Sequence, residues 1–93
     1  MTLLDVIARI DNLNQAHTIY ARQPWVLHSE AIVESPPVDE SLVSPQLAAQ
    51  GYSYFIEIDI ASDFLRGWRS NLAESPSVEK ACERLIQYAI NDA

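Results

Sequence analysis

Histidine is the side chain that changes charge nearest neutral pH, and this chain has two, His17 and His28. Glu30 follows His28 by two positions, so on an extended strand the imidazole and the carboxylate project from the same side. Such a pair can pass a proton or supply two ligands to a metal. Two ligands do not make a metal site, and a surface imidazole beside a carboxylate explains the same pattern, so no metal and no cofactor is expected. Glu57 and Asp59 repeat the spacing inside YSYFIEIDI, residues 52–60, and resemble a general acid and base. With no third polar group beside them, solvated carboxylates are the simpler explanation. The single cysteine, Cys82, could be a nucleophile, but it falls on the apolar stripe of a helix, where a thiol acts as a small buried hydrophobe. No catalytic residue is assigned. With two glycines the chain holds neither G-x-G-x-x-G nor a phosphate-binding P-loop, and it has no G-x-S-x-G elbow.

The same residues also suit a contact surface. Alternation along residues 52–60 sets Phe55, Glu57 and Asp59 in a row on one sheet face, an aromatic anchor beside fixed negative charge that fits a basic protein partner. Within QPWVLHSEAIVE, residues 23–34, Trp25 can either plug the end of the sheet or anchor a contact. The candidate binding residues are Trp25, His28, Glu30, Phe55, Glu57 and Asp59. Phe55 can equally be covered by Trp25 or by a loop over residues 35–44, which would leave the acids without their aromatic neighbour.

These side chains need elements to hold them. Thr2 can cap a first helix with Asp5 at its third position, and Leu3, Val6, Ile7, Ile10 and Leu13 keep helical spacing to about Asn12. The β-branched and aromatic run in HTIYARQ predicts a strand over residues 17–22, halted by Pro24. A second extended run, HSEAIVE, is closed by Ser35-Pro36-Pro37, which makes a hairpin with PWVL in its connection. Residues 35–44 form a surface loop, and Ser44-Pro45 opens a short helix that Gly51 ends. In the strand over 52–60, Tyr52, Tyr54, Ile56, Ile58 and Ile60 share a face so apolar that the strand should be central or paired along its length. Ser62 can cap a helix carrying Ala61, Leu65, Trp68 and Leu72, in spite of Gly67, and Ser75-Pro76 starts a last helix with Val78, Cys82, Leu85 and Ala89. The order α-β-β-α-β-α-α predicts an α+β fold: a small antiparallel sheet of about three strands with helices mainly on one face.

At 93 residues the chain is read as one domain, residues 1–93, and its 48% hydrophobic content fits a folded core better than disorder. Six Lys and Arg against thirteen Asp and Glu give a formal net charge of −7, which repels phosphate backbones and argues against nucleic-acid binding. No apolar run approaches the length of a bilayer crossing and no basic cluster would hold an anionic lipid surface, so no membrane role is expected. The lone cysteine and the absence of a signal-peptide pattern point to the cytoplasm.

Three stretches, QPWVLHSEAIV, LAAQGYSYFIEI and SPSVEKACERLIQYAINDA, together resemble a family of short bacterial proteins of unknown function. The shared features are a PW-x-L-x-S stretch, a short helix and glycine leading into a Tyr-Phe strand, and a last helix ending in Asn-Asp-Ala. That resemblance carries no functional role over to any residue of this chain. In size and acidity the chain is also similar to the immunity proteins that neutralise toxins. The expectation is a non-enzymatic domain that binds a basic protein, most concretely an immunity- or antitoxin-like inhibitor, with a homodimer through the same face as a variant. The alternative is a small enzyme or ligand-binding domain using His28 and Glu30, with His17 or Asp59, in a pocket lined by Trp25 and Tyr54.

Overall fold

Both arms of a capping box open α1 (Leu3–Ala8): the Thr2 hydroxyl accepts from the Asp5 N–H at 3.2 Å, and the Asp5 carboxylate accepts from the Thr2 N–H at 2.9 Å. In the computed structural model, which describes residues 1–38 and 42–92, α1 gives way at Arg9 to a 3₁₀ turn over Ile10–Asn12 that keeps Ile10 buried. There follow β1 (Thr18–Arg22), β2 (Ala31–Glu34), α2 (Pro45–Ala49), β3 (Tyr52–Glu57), α3 (Ile58–Ser70) and α4 (Val78–Asp92). The class and order are those predicted, an α+β fold on an antiparallel three-stranded sheet.

The strands lie in the order β2-β1-β3. The central place therefore belongs to β1, whose residues Thr18 to Ala21 are all buried, and β3 takes an edge while pairing with β1 along its length. Ile19, Ala21, Ala31, Phe55 and Ile56 turn to one side and join Leu3, Val6, Ala61, Leu65, Cys82 and Leu85 in the main core, so α1, α3 and α4 cover that face. The opposite face is covered only in part. Tyr20 and Tyr52 pack there with Leu47 of α2 and with Ile32 and Val43.

The two edges of the sheet are finished differently. Along β2, the Ala31 N–H donates to the Met1 carbonyl at 2.8 Å and Thr2 bridges Glu30. Just beyond, the Leu3 and Leu4 N–H groups donate to the carbonyls of Ser29 and Leu27 at 2.9 and 3.0 Å. With the Thr2 N–H held by the Asp5 carboxylate and the Asp5 N–H by the Thr2 hydroxyl, all four free N–H groups at the start of α1 are satisfied. No such covering runs along the outer side of β3 among the described residues.

Four boundaries differ from the sequence expectation. The second strand begins at Ala31 and not at His28, which lies in the turn before it. β3 stops at Glu57, and Ile58–Ile60 form the first turn of α3, because Ile58, Ala61 and Leu65 reach the core at helical spacing, which outweighs the alternation of Ile56, Ile58 and Ile60. Ser62 is accordingly no cap but a buried residue of the second turn, and Glu57 stands at the N-cap without a side-chain bond. The last helix is opened by Ser77, whose hydroxyl accepts from the Lys80 N–H at 3.2 Å, and not by Ser75. α2 is as expected: the Ser44 hydroxyl accepts from the Leu47 N–H, and Gly51 ends the turn at φ +88°. Of the loop read at 35–44, residues 39–41 lie outside the described residues. No helix among the described residues is long and apolar enough to cross a membrane.

Candidate functional site

The QPWVLHSEAIVE stretch is built around Ser29. Its buried hydroxyl donates to the Pro24 carbonyl and accepts from the Val26 N–H, both at 2.9 Å, which folds residues 24–29 into a tight turn after the cis Gln23–Pro24 peptide. The turn carries Trp25 back over the sheet end, where its indole N–H donates to the Ala21 carbonyl at 3.3 Å and its ring meets Phe55 edge-on, centroids 4.9 Å apart at 88°. Trp25 therefore plugs the sheet. His28 projects from the turn into solvent and makes no hydrogen bond among the described residues. Glu30 is exposed as well, with its carboxylate 3.8 Å from the Met1 amino group and its carbonyl accepting from the Arg22 N–H.

The expected row of Phe55, Glu57 and Asp59 is not present. Register passes from Ile19 opposite Ile56 to Tyr20 opposite Tyr54, so Phe55 is an extra residue in a bulge that reverses the phase of the strand. Phe55 is 1% exposed on the helix side, Glu57 falls on the opposite face opposite Thr18, and Asp59 sits exposed in the first turn of α3. Trp25 and Tyr54 likewise lie on opposite faces, so they line no common pocket with His28 and Glu30. No three His, Cys, Asp or Glu side chains among the described residues converge to hold a metal ion. Burial, with a smaller push from Glu83, raises the Cys82 thiol to about 11 and keeps it protonated at neutral pH.

What the sheet does bring together is a row of acids on its second face. Thr18 stands opposite Glu34 on β2 and opposite Glu57 on β3, so both carboxylates flank one threonine, their Cα atoms about 10 Å apart at ordinary strand spacing. Asp59 follows in the first turn of α3, near enough for its charge to act on Tyr54 of that face. The ion pairs among the described residues are Met1 with Glu30 and Arg66 with Asp63, which leaves Glu34, Glu57 and Asp59 uncompensated. Tyr20, 1% exposed, lies on the same face, and its buried hydroxyl makes no hydrogen bond among the described residues. Burial, with smaller pushes from Glu34 and Glu57, holds that hydroxyl above the usual tyrosine pKa against the opposing pull of the nearby Thr18 side chain. Half-buried Tyr54 is raised by burial and then by Glu57. Sequence reasoning named Glu57, Asp59 and Tyr54 but missed Glu34 and Tyr20, because their company depends on β1 pairing with both neighbours.

Chemically the row offers fixed negative charge and hydroxyls but no nucleophile with an adjoining base. It suits a cation, above all a guanidinium, whose planar fork matches a carboxylate. The concavities lie elsewhere. One of about 680 Å³ runs between Gln23, Pro24 and Trp25 and the end of α4 at Ala89 and Ile90. Another of about 340 Å³ lies between Trp25, Val26 and Leu27 and Glu83, Ile86 and Gln87. Both are mainly apolar, and neither contains His28, Glu30 or the acidic row. No family model, curated protein or solved structure matches the chain.

Proposed function

We propose that the chain is a non-enzymatic protein-binding domain that takes a basic partner at the acidic row of its second sheet face. The supporting observation is the gathering of Glu34, Glu57 and Asp59, without a cation of their own, beside the tyrosines of that face. Holding like charges together is unfavourable in the free domain, and an incoming Lys or Arg relieves it. A formal net charge of −7 steers such a partner towards the surface. The most concrete form is an immunity- or antitoxin-like inhibitor acting in the cytoplasm on a basic protein. Affinity capture with the wild-type chain and with the E34K/E57K/D59K variant tests the proposal. A basic protein should be retained by the wild type and by an E79K/E83K control on α4, and lost by the triple variant; equal retention by all three would overturn it.

A further inference from the structure

We infer that the partner binds as an extended segment that adds a fourth strand to the free edge of β3 and places one basic side chain over Glu57 and Asp59. This rests on the basic-partner reading above and adds to it the mode of attachment.

Hydrogen-bond directions show which backbone groups are open. The Arg22 N–H donates to Glu30, so in an antiparallel ladder Thr18, Tyr20 and Arg22 direct their backbone groups at β2, and Ile19 and Ala21 direct theirs at β3. The Ile58 N–H donating to the His17 carbonyl at 3.0 Å fits the same phase. On β3, then, Ser53 and Ile56 bond inward, while the N–H and C=O groups of Tyr52 and Tyr54 point away from the sheet. No turn, loop or cap hydrogen bond among the described residues reaches them, whereas the outward N–H of Ala31 at the start of β2 is taken by Met1. The edge sequence YSYFIE has no lysine or proline to deter pairing, and only the bulge at Phe55 and the start of α3 limit the open stretch.

The side chains beside this edge define the segment. Arg22 stacks over the Tyr52 ring, 4.8 Å from its centroid, so positive charge already occupies that end. Glu57 and Asp59 lie at the other end. A strand laid along β3 therefore fits best with an apolar residue across from Tyr52 and an arginine two or more residues on, towards Glu57. A guanidinium there reaches the carboxylates in a charge-assisted pair. A second copy of the chain is a poorer occupant, because each copy carries a formal charge of −7 and brings its own Glu57 and Asp59 to the edge.

The test is an NMR titration of the full chain with a blocked eight-residue peptide of alternating Val and Thr carrying one Arg near an end, and with the same peptide N-methylated at alternate residues. Strand addition requires that the parent peptide shift the Tyr52 and Tyr54 amides and slow their hydrogen exchange. It also requires that binding weaken about tenfold in E57K/D59K and vanish on N-methylation. Binding that survives N-methylation but depends on Glu57 and Asp59 overturns strand addition and leaves the basic-partner reading standing. Binding indifferent to the charge reversal overturns both. Absence of shifts at Tyr52 and Tyr54 overturns the inference, as does sedimentation as a dimer with those two amides already protected.

Discussion

Among the described residues two buried hydroxyls, those of Tyr20 and Ser62, have no hydrogen-bond partner, and a polar group left so costs about 1–3 kcal/mol. Tyr20→Phe and Ser62→Ala each remove the orphaned group with little change in packing, so each should raise the unfolding free energy in urea by about 1 kcal/mol. A loss of stability in either variant would show that the hydroxyl is paired. Ser29→Ala should act in the opposite sense, costing about 1–3 kcal/mol, because it strands the Val26 N–H and the Pro24 carbonyl inside the turn. His28→Ala, one residue away and exposed, should stay within about 0.5 kcal/mol. The chemically conspicuous histidine and the plain serine of QPWVLHSEAIVE thus exchange importance. Cys82 gives a pH dependence of definite sign: its folded pKa is raised to about 11, above the value of an unfolded thiol. The unfolded chain loses that proton first, so stability is complete below about pH 9 and falls as pH rises towards 11. Chemical denaturation of wild type and Cys82→Ala across this interval should show a steeper decline in the wild type.

At the scale of elements, the two glycines have opposite roles. Gly51 ends α2 at φ +88°, a conformation that a side chain strains, and Gly51→Ala should cost about 1 kcal/mol even though no atom lies within 4 Å of the added Cβ. Gly67 lies within α3 with equally open space, and Gly67→Ala should gain about 0.5–1 kcal/mol. Thermal melts of the pair should move in opposite directions, and a shared direction would contradict the backbone assignment. Gly51 belongs to what local sequence reveals, together with the Thr2–Asp5 cap, the Ser44-Pro45 helix start, the hairpin and the stripes of α3 and α4. The β3–α3 junction was not legible because Ile58 satisfies both periods, alternating with Ile56 as a strand would and leading to Ala61 and Leu65 as a helix does. Nor was the bulge, for neither glycine nor proline marks Phe55. The acidic row was half legible: Glu57 and Asp59 are neighbours in sequence, but Glu34 joins them only through β1.

For the whole molecule, the decisive property is the distribution of negative charge. Among the described residues two ion pairs compensate a small part of it, and both are exposed, so neither contributes much stability. The second sheet face adds a local excess by holding Glu34 and Glu57 on either side of Thr18. If those acids serve a partner, they weaken the free fold, and the two effects can be separated. E34K/E57K changes each position by two charge units and takes the formal net charge from −7 to −3, through −7 + 4. Raising salt from 10 to 150 mM shortens the screening length from about 30 to about 8 Å, which relieves repulsion between exposed acids. The wild-type melting temperature should therefore climb over this interval. The double variant should start higher, by up to about 1 kcal/mol in stability, and climb less, while losing affinity for the basic partner. Parallel salt dependences for the two proteins would mean that the row is not under electrostatic strain, and would remove the physical reason for a cation to settle there.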